Sequence, residues 1–413
     1  MKKVLVGLAA GVVMSGCAGN GWQAGAALFA DPARVAAALG DPPVEGEAAI
    51  AELPVLPLPH HPRNCCAFGM DLRVDFAGMQ VPFLDIGNVL GVDEIAHHAY
   101  SLPDAASDAE ANGLVYTCRG GWIDTAHVRE QADDVVFLAL AMARTLESGT
   151  TIVIPGHGGP TTIVVSALPP GFIERQGRMS AATTLAAWTA FRISIWHEVS
   201  TWFGYQSVAG FSEQPSAFSP EDLYSNALGI RLGLAVLDDD DFRSEADYDL
   251  AIEAFIEEAL RRLDARPRIA ARDIMTSLDG LWWDSTRRLP DNLLVTRRRF
   301  PPDGEEIEPW RADDAFTRGS VPAAVDADCQ RATTRSLVIR DRLGGVDIRG
   351  LVSITWQPES WADATFPFPS EAVGHVVSEH DLDALVARTH AAMEPVFGAG
   401  FDEPGPRRSS GAR

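Results

Sequence analysis

The stretch from Ser180 to Phe203 most constrains the fold of this chain, because it is apolar over most of its length. Serine is favoured at the position just before a helix, as Ser180 is here, and glycine, here Gly204, often follows the last residue of a helix. The stretch therefore predicts one long core helix. His197 and Glu198 lie in its last turns, where polar side chains need a structural or a chemical reason.

Other elements are predicted around this core helix. A β-prone run at 114–118 predicts a strand, and Asp124 is expected to cap a helix that reaches Leu146. Two β-prone runs, 150–154 and 161–167, flank a Gly/Pro cluster and predict a β-hairpin. The remaining predictions are helices at 219–237, 248–263 and 378–393, and β-prone runs at 292–296, 336–340 and 351–356.

These signals place the chain in the α+β class, with a helical core, β-hairpin insertions and a more β-rich C-terminal region. Helical signals become sparse after Pro267. The predicted segments are a signal peptide at 1–16, a tether at 17–60, a helical core at 61–267, an α+β region at 268–402 and a disordered tail at 403–413. The region 268–402 either shares the core of 61–267 or forms its own.

The N-terminus predicts export and lipidation. Lys2 and Lys3 precede an apolar run that is too short to span a bilayer, and the segment Met14-Ser15-Gly16-Cys17 resembles a lipobox with Met in place of Leu. In such signals the cysteine receives acyl chains such as palmitate. Ala18 is not the Asp that retains lipoproteins in the inner membrane, so we expect attachment to the periplasmic face of the outer membrane. The alternative is an ordinary signal peptide cleaved near Ala18.

The net charge argues against one class of partner, and the cysteine content predicts a disulfide. The net charge of −23 repels phosphate backbones, which argues against a nucleic-acid partner. An exported protein can form disulfides, and four cysteines follow Cys17. Because a bridge between adjacent Cys65 and Cys66 is strained, we expect Cys118 to pair with one of them.

The His197-Glu198 pair resembles the start of a zincin helix, in which the His is a zinc ligand and the Glu is the general base. The fourth residue after His197 is Thr201 and not a second His, so the two-ligand signature is absent. The structural alternative is that His197 favours the negative end of the helix dipole, while Glu198 pairs with Arg192.

Two other places supply possible ligands. Asp124 and His127 are three residues apart and share a helix face, so Asp124 can bind the same metal or orient His127. Glu221 follows His197 by two dozen residues, as the third ligand does in some metallopeptidases. Helix capping explains Asp124 and the pair Ser219–Asp222 without a metal. The metal hypothesis is one divalent ion, zinc first, with His127, His197, Glu221 and Asp124 as its metal-binding residues and Glu198 as general base.

Four stretches carry a family resemblance: 64–69 (Asn-Cys-Cys-Ala-Phe-Gly), 116–129 with its Asp-Thr-Ala-His, 196–205 and 219–229. Together they resemble a bacterial family of uncharacterised lipoproteins, domain of unknown function 4056, over roughly residues 60–300. The resemblance implies an envelope location and no established activity. The resulting hypothesis is a membrane-anchored periplasmic lipoprotein with a metal-dependent hydrolase site acting on envelope material. The alternative is a non-enzymatic envelope binding or scaffold protein.

Overall fold

The computed structural model describes the chain from residue 31 to residue 405 with internal gaps. The described residues are 31–40, 54–59, 63, 66–76, 79–86, 88–95, 97–101, 110–156, 158–206, 212–237, 244–317, 319–362, 366–368 and 375–405. The predicted signal peptide, Cys17 and Cys65 lie outside these ranges, as does the predicted tail beyond residue 405.

The described helices and strands alternate irregularly along the chain. The helices are α1 (Pro32–Ala38), α2 (Thr125–Ala143), α3 (Pro170–Gln176), α4 (Arg178–Trp202), α5 (Asp222–Leu237), α6 (Glu245–Arg262), α7 (Arg268–Ser277), α8 (Ala327–Arg331) and α9 (Glu379–Phe397). The strands are β1 (Leu72–Phe76), β2 (Met79–Ile86), β3 (Leu114–Thr117), β4 (Gly121–Asp124), β5 (Thr150–Ile154), β6 (Thr161–Val165), β7 (Glu306–Ile307), β8 (Leu337–Val338), β9 (Arg342–Leu343), β10 (Val346–Asp347), β11 (Val352–Trp356) and β12 (Val377–Ser378). All strand pairs are antiparallel and the sheets are small, which confirms the α+β class.

Three helices form the centre of the fold. The predicted core helix is α4, which lies with α2 and α5 in the largest hydrophobic core. The predicted start is three residues late, because α4 begins at Arg178 after Gly177 and not after Ser180. The expected cap of α2 is confirmed, since Asp124 Oδ1 accepts the N–H of Ala126 at 2.7 Å. These helices carry the polar residues singled out in the sequence.

One sheet joins distant parts of the chain. The predicted hairpin of β5 and β6 is confirmed, and β6 then pairs with β11, so that Ile163 lies opposite Ile354. The sheet packs on the core helix through Trp196 and Trp356, whose stacked rings lie 5.0 Å apart between centroids. Strands from both sides of Pro267 therefore share one sheet and one core.

Two predictions about the C-terminal region are wrong. Helix α7 begins directly after Pro267, where few helical signals were expected; proline is well tolerated at a helix start. The β-prone run 292–296 forms no strand and contributes only an isolated bridge at Val295. Instead of pairing with a neighbouring strand, the backbone carbonyls of Asn292 and Val295 accept hydrogen bonds from the guanidinium of Arg298.

The predicted pairing of Cys118 with Cys65 or Cys66 is also wrong, because Cys118 is bonded to Cys329. Cys329 lies in α8, and the chain after α8 is held against the turn between β3 and β4 by the bond from Arg335 N–H to the Arg119 carbonyl. Sequence proximity favoured the wrong partner, since 211 residues separate the bonded cysteines. Cys66 is buried in the same small hydrophobic core as both of them.

Candidate metal centre

One group of acidic and imidazole side chains converges inside the bundle of α2, α4 and α5. His127 on α2, Glu198 on α4 and Asp222 at the start of α5 each offer one ligand atom, and these atoms lie within 4.8 Å of one another. The Nδ1 of His127 is 3.5 Å from Oδ1 of Asp222. Two ligands that each lie about 2.1 Å from a tetrahedral zinc are roughly 3.4 Å apart. The group therefore has the composition and size of a three-ligand metal site.

Hydrogen bonds orient the two carboxylates of this group. Glu198 Oε2 accepts the backbone N–H of Phe218 at 2.7 Å, which ties the end of α4 to the turn before α5. Asp222 accepts the backbone N–H and the hydroxyl of Ser219. The Glu198 carboxyl group also hydrogen-bonds that of Asp222, and its Oε1 is buried with no further donor among the described residues. The two carboxyl groups therefore face each other, and a cation can take the place of the proton between them.

The electrostatics of these side chains favour their neutral forms. Burial raises the pKa of Glu198 to about 8, and burial and then the nearby Glu198 raise the pKa of Asp222 well above its usual range. Burial lowers the pKa of His127, so its imidazole is neutral at pH 7, as metal binding requires. A divalent cation between two such carboxylates reverses this balance and favours their ionised forms.

A buried positive charge lies near the acidic group. Arg298 is fully buried and donates hydrogen bonds to four backbone carbonyls, including those of Pro215 and Ala217 just before α5. Burial lowers its pKa to about 10, although Asp222, Glu221 and Glu198 oppose that shift. Arg298 thus places one cation in the field of three carboxyl groups and holds the backbone just before α5, the helix that begins with Asp222.

A small pocket leads to this group. Its volume is about 270 Å³ including its mouth, and it is lined by His127, Glu130, Gln131, Asp134, Ile193, Ser194, His197, Glu198 and Asn226. His197 is half-buried and its ring is 5.9 Å from that of Tyr205, whereas the other lining residues are buried. Burial, and secondarily Asp133, raises the pKa of Glu130 to about 8 although Arg63 opposes the shift. The pocket therefore offers groups that exchange protons near neutral pH.

Of the five residues in the metal hypothesis, the structure brings two into the converging group and leaves three outside it. His127 and Glu198 belong to the converging group, and His197 lines the pocket with its ring 6.5 Å from that of His127. Glu221 lies beside the group, where its Oε1 accepts the Ser219 hydroxyl. Asp124 uses both oxygens for backbone N–H groups, one of which caps α2, and does not belong to the group of three.

Four residues in or beside the pocket are not identified as site residues by the sequence alone: Asp222, Glu130, Gln131 and Asn226. Asp222 was assigned only to helix capping, and it does bond to Ser219 while also facing the metal group. Glu130 and Gln131 follow His127 by three and four residues, and Asn226 follows Asp222 by four. Helical spacing from His127 and Asp222 is the signal that identifies them, because residues three or four apart share a helix face.

Comparison with known proteins concerns the same part of the chain. The family model described as protein of unknown function (DUF4056) matches residues 53–309, more than half of the 413 residues, and this range contains every residue of the pocket. No curated protein and no solved structure matches the chain. Within the described residues, no helix is both long and apolar enough to cross a membrane. The chain belongs to the DUF4056 family.

Proposed function

We propose that this protein is a divalent-metal-dependent hydrolase whose ligands are His127, Glu198 and Asp222. The observation that carries the proposal is the convergence of these three buried side chains, two of which, His127 and Glu198, line a pocket. Three protein ligands with an open position for water are the arrangement of catalytic zinc sites. In this proposal Glu198 is a ligand and not the general base, and Asp222 takes the place that the sequence suggested for Glu221.

The pocket residues supply proton transfer. A metal at the site lowers the pKa of a water molecule and polarises a carbonyl group. Glu130, with its pKa near 8, holds and moves a proton in the range in which such chemistry operates, and the imidazole of His197 lies at the solvent side of the pocket. One imidazole and two carboxylates suit zinc, and they also suit manganese or iron(II).

The proposed location is the periplasmic face of the outer membrane, through acylation of Cys17. This proposal depends on the basic, apolar and small residues of 1–17, since that segment lies outside the described residues. Envelope peptides, peptidoglycan and lipids are then the accessible substrates.

A second function is favoured by the burial of the metal group. All three ligands are at most 3% exposed, and the enclosed space of the pocket is far smaller than the roughly 300–1,000 Å³ of usual ligand sites. A closed metal site that stabilises a non-enzymatic envelope binding or scaffold protein has these features. Activity, and not metal content, separates this function from hydrolysis.

Metal binding is tested with two neighbouring carboxylates. We expect the full chain to bind about one equivalent of zinc and Asp222→Asn to lose affinity by more than the roughly 10–100-fold that changes around metal ligands cost. Glu221→Gln changes a partner of Ser219 and not a ligand, so it is expected to cost no more than that range. Wild-type protein with less than roughly a tenth of an equivalent of zinc, iron or manganese after reconstitution would rule out the metal site.

Hydrolysis is tested on the zinc-loaded chain with chromogenic amides, esters and glycosides. We expect turnover of one class that disappears with chelator, returns with zinc and is lost in Asp222→Asn. Stoichiometric zinc without turnover of any class would favour the stabilising metal site over the hydrolase.

A further inference from the structure

Two amide side chains in the pocket have polar atoms that lack partners. Asn226 Nδ2, a donor, and Gln131 Oε1, an acceptor, have no hydrogen bond within the described part of the chain, although the residues are only 2% and 5% exposed. Buried amide groups in folded proteins are normally hydrogen-bonded, because an unpaired one loses its water without compensation. An unmet donor and an unmet acceptor in one pocket therefore point to a ligand that supplies both complements.

Their positions relate them to the metal ligands. Gln131 lies one helical turn after His127 on α2, and Asn226 lies one turn after Asp222 on α5. Residues four apart lie on one helix face, so the donor and the acceptor stand beside the metal group on opposite helices. Both line the same pocket as Glu198.

We infer that this site recognises a carboxamide group, an inference that rests on the proposed hydrolase function. The amide C=O accepts from Asn226 and the amide N–H donates to Gln131, so both unmet atoms are satisfied together. An ester lacks the N–H, and the described residues that line the pocket include no Arg or Lys side chain that would pair with a carboxylate or phosphate group.

The size of the pocket restricts how such a substrate binds. The enclosed space is small and the lining residues other than His197 are buried, so the pocket admits at most the end of a molecule and not a chain that passes through. The substrate is thus a molecule with a terminal or side-chain carboxamide. Hydrolysis adds one water across the C–N bond, so that the carbon gains a hydroxyl to become a carboxylic acid and the nitrogen leaves with a proton as the amine or as ammonia.

A pair of metal-binding probes isolates the N–H contact. Acetohydroxamic acid has an N–H group, and N-methylacetohydroxamic acid lacks it while keeping both chelating oxygens. Calorimetry on the zinc-loaded full chain gives the ratio of their two Kd values. We expect Gln131→Met to shift this ratio by about tenfold against the N–H probe, because one hydrogen bond is lost.

Two further variants test the oxygen contact and provide a control outside the pocket. Asn226→Leu is expected to weaken both probes by a similar factor, about tenfold, because both present the oxygen that Asn226 contacts. Gln176→Met on α3, outside the pocket, is expected to change neither Kd. A crystal structure of the zinc-loaded wild type with acetohydroxamic acid needs no variant. It supports the inference if Gln131 Oε1 lies within about 3.2 Å of the probe nitrogen.

The outcomes separate the two proposals. A wild-type chain that binds no metal overturns the proposed function and the inference with it. A zinc-loaded chain whose probe ratio is the same in wild type and Gln131→Met, or whose crystal shows only water at Gln131, overturns the inference and leaves the metal site standing.

Discussion

A Cβ atom added to Gly229 would lie 2.2 Å from the carbonyl oxygen of Val128, closer than real Cβ contacts allow. The backbone of α5 therefore contacts the backbone of α2 directly at this point. Because α2 carries His127 and α5 begins with Asp222, the contact determines the distance between two proposed metal ligands. A glycine that costs helix propensity is retained here for close packing.

Gly229→Ala is expected to destabilise the protein, although alanine is the better helix former by about 1 kcal/mol. The added methyl group must displace α5 from α2, and overpacking of this kind costs about 1–3 kcal/mol, occasionally more. We also expect weaker zinc binding, because the displacement moves Asp222 away from His127. Urea unfolding of the metal-free protein and zinc titration measure the two effects.

The control for this variant is Gly171→Ala in α3, where the atom nearest to the added Cβ is a side-chain nitrogen of Arg175 at 3.7 Å. We expect equal or slightly higher stability and unchanged zinc affinity. Equal stability losses in both variants would contradict the direct contact between α2 and α5.

The Cys118–Cys329 disulfide is expected to be the largest single covalent contribution to stability. The loop-entropy model assigns about 5 kcal/mol to closing a loop of 211 residues, the upper end of measured values. Cys118→Ala should therefore lower the unfolding free energy by several kcal/mol, and adding Cys329→Ala should lower it little further. Cys66→Ala is the matched control and should cost much less. A non-reduced peptide map that links Cys118 to Cys65 or Cys66 would disprove the pairing.

The proposed lipid anchor gives a prediction that depends on the sequence alone. Cys17→Ser should release the protein from the membrane fraction and abolish palmitate labelling, because buried acyl chains contribute about 0.8 kcal/mol per CH₂. Ser15→Ala keeps a small residue in the lipobox and should retain the anchor. Unchanged membrane partition of Cys17→Ser, with no lipid on the wild-type N-terminus by mass spectrometry, would exclude lipidation.

Local elements of the fold were predictable because their signals are local. The Asp124 cap of α2 and the β5–β6 hairpin each depend on residues within a few positions. The pairing of β6 with β11 and the bond from Cys118 to Cys329 join segments about 190 and 211 residues apart, and no local pattern encodes them. Long-range partners are selected by the packing of the whole core, which short sequence windows do not contain.

The metal group was predictable only in part for a related reason. His127 and Glu198 stand out because a core helix rarely carries such residues without a purpose. Asp222 does not stand out, because its bonds to Ser219 explain it as a helix-capping residue. Only the packing of α4 against α5 shows that this capping carboxylate also faces Glu198.

A second buried charge network, far in sequence from α4, predicts how the protein responds to acid. Arg63 Nε is 2.6 Å from Glu110 Oε2, and Arg63 Nη1 is 2.7 Å from Asp133 Oδ2. Burial opposes ionisation of Glu110, but the guanidinium groups of Arg63 and Arg129 outweigh it and hold the pKa of Glu110 well below its usual range. An acid whose pKa is lowered by folding stabilises the protein above its unfolded pKa, about 4.3 for glutamate.

The stabilisation from Glu110 is therefore complete at pH 7 and is lost as the pH falls below about 5 toward the folded pKa. We expect Glu110→Gln to cost about 3 kcal/mol at pH 7, since it breaks one half of a buried ion pair, and the difference from wild type to shrink progressively in acid. Glu258→Gln, which breaks the half-exposed pair with Arg262, should change stability by less than about 1 kcal/mol throughout. Urea unfolding between pH 7 and pH 3 measures all three proteins. A Glu110→Gln penalty that stays constant over this range would show that the carboxylate is not stabilised by Arg63.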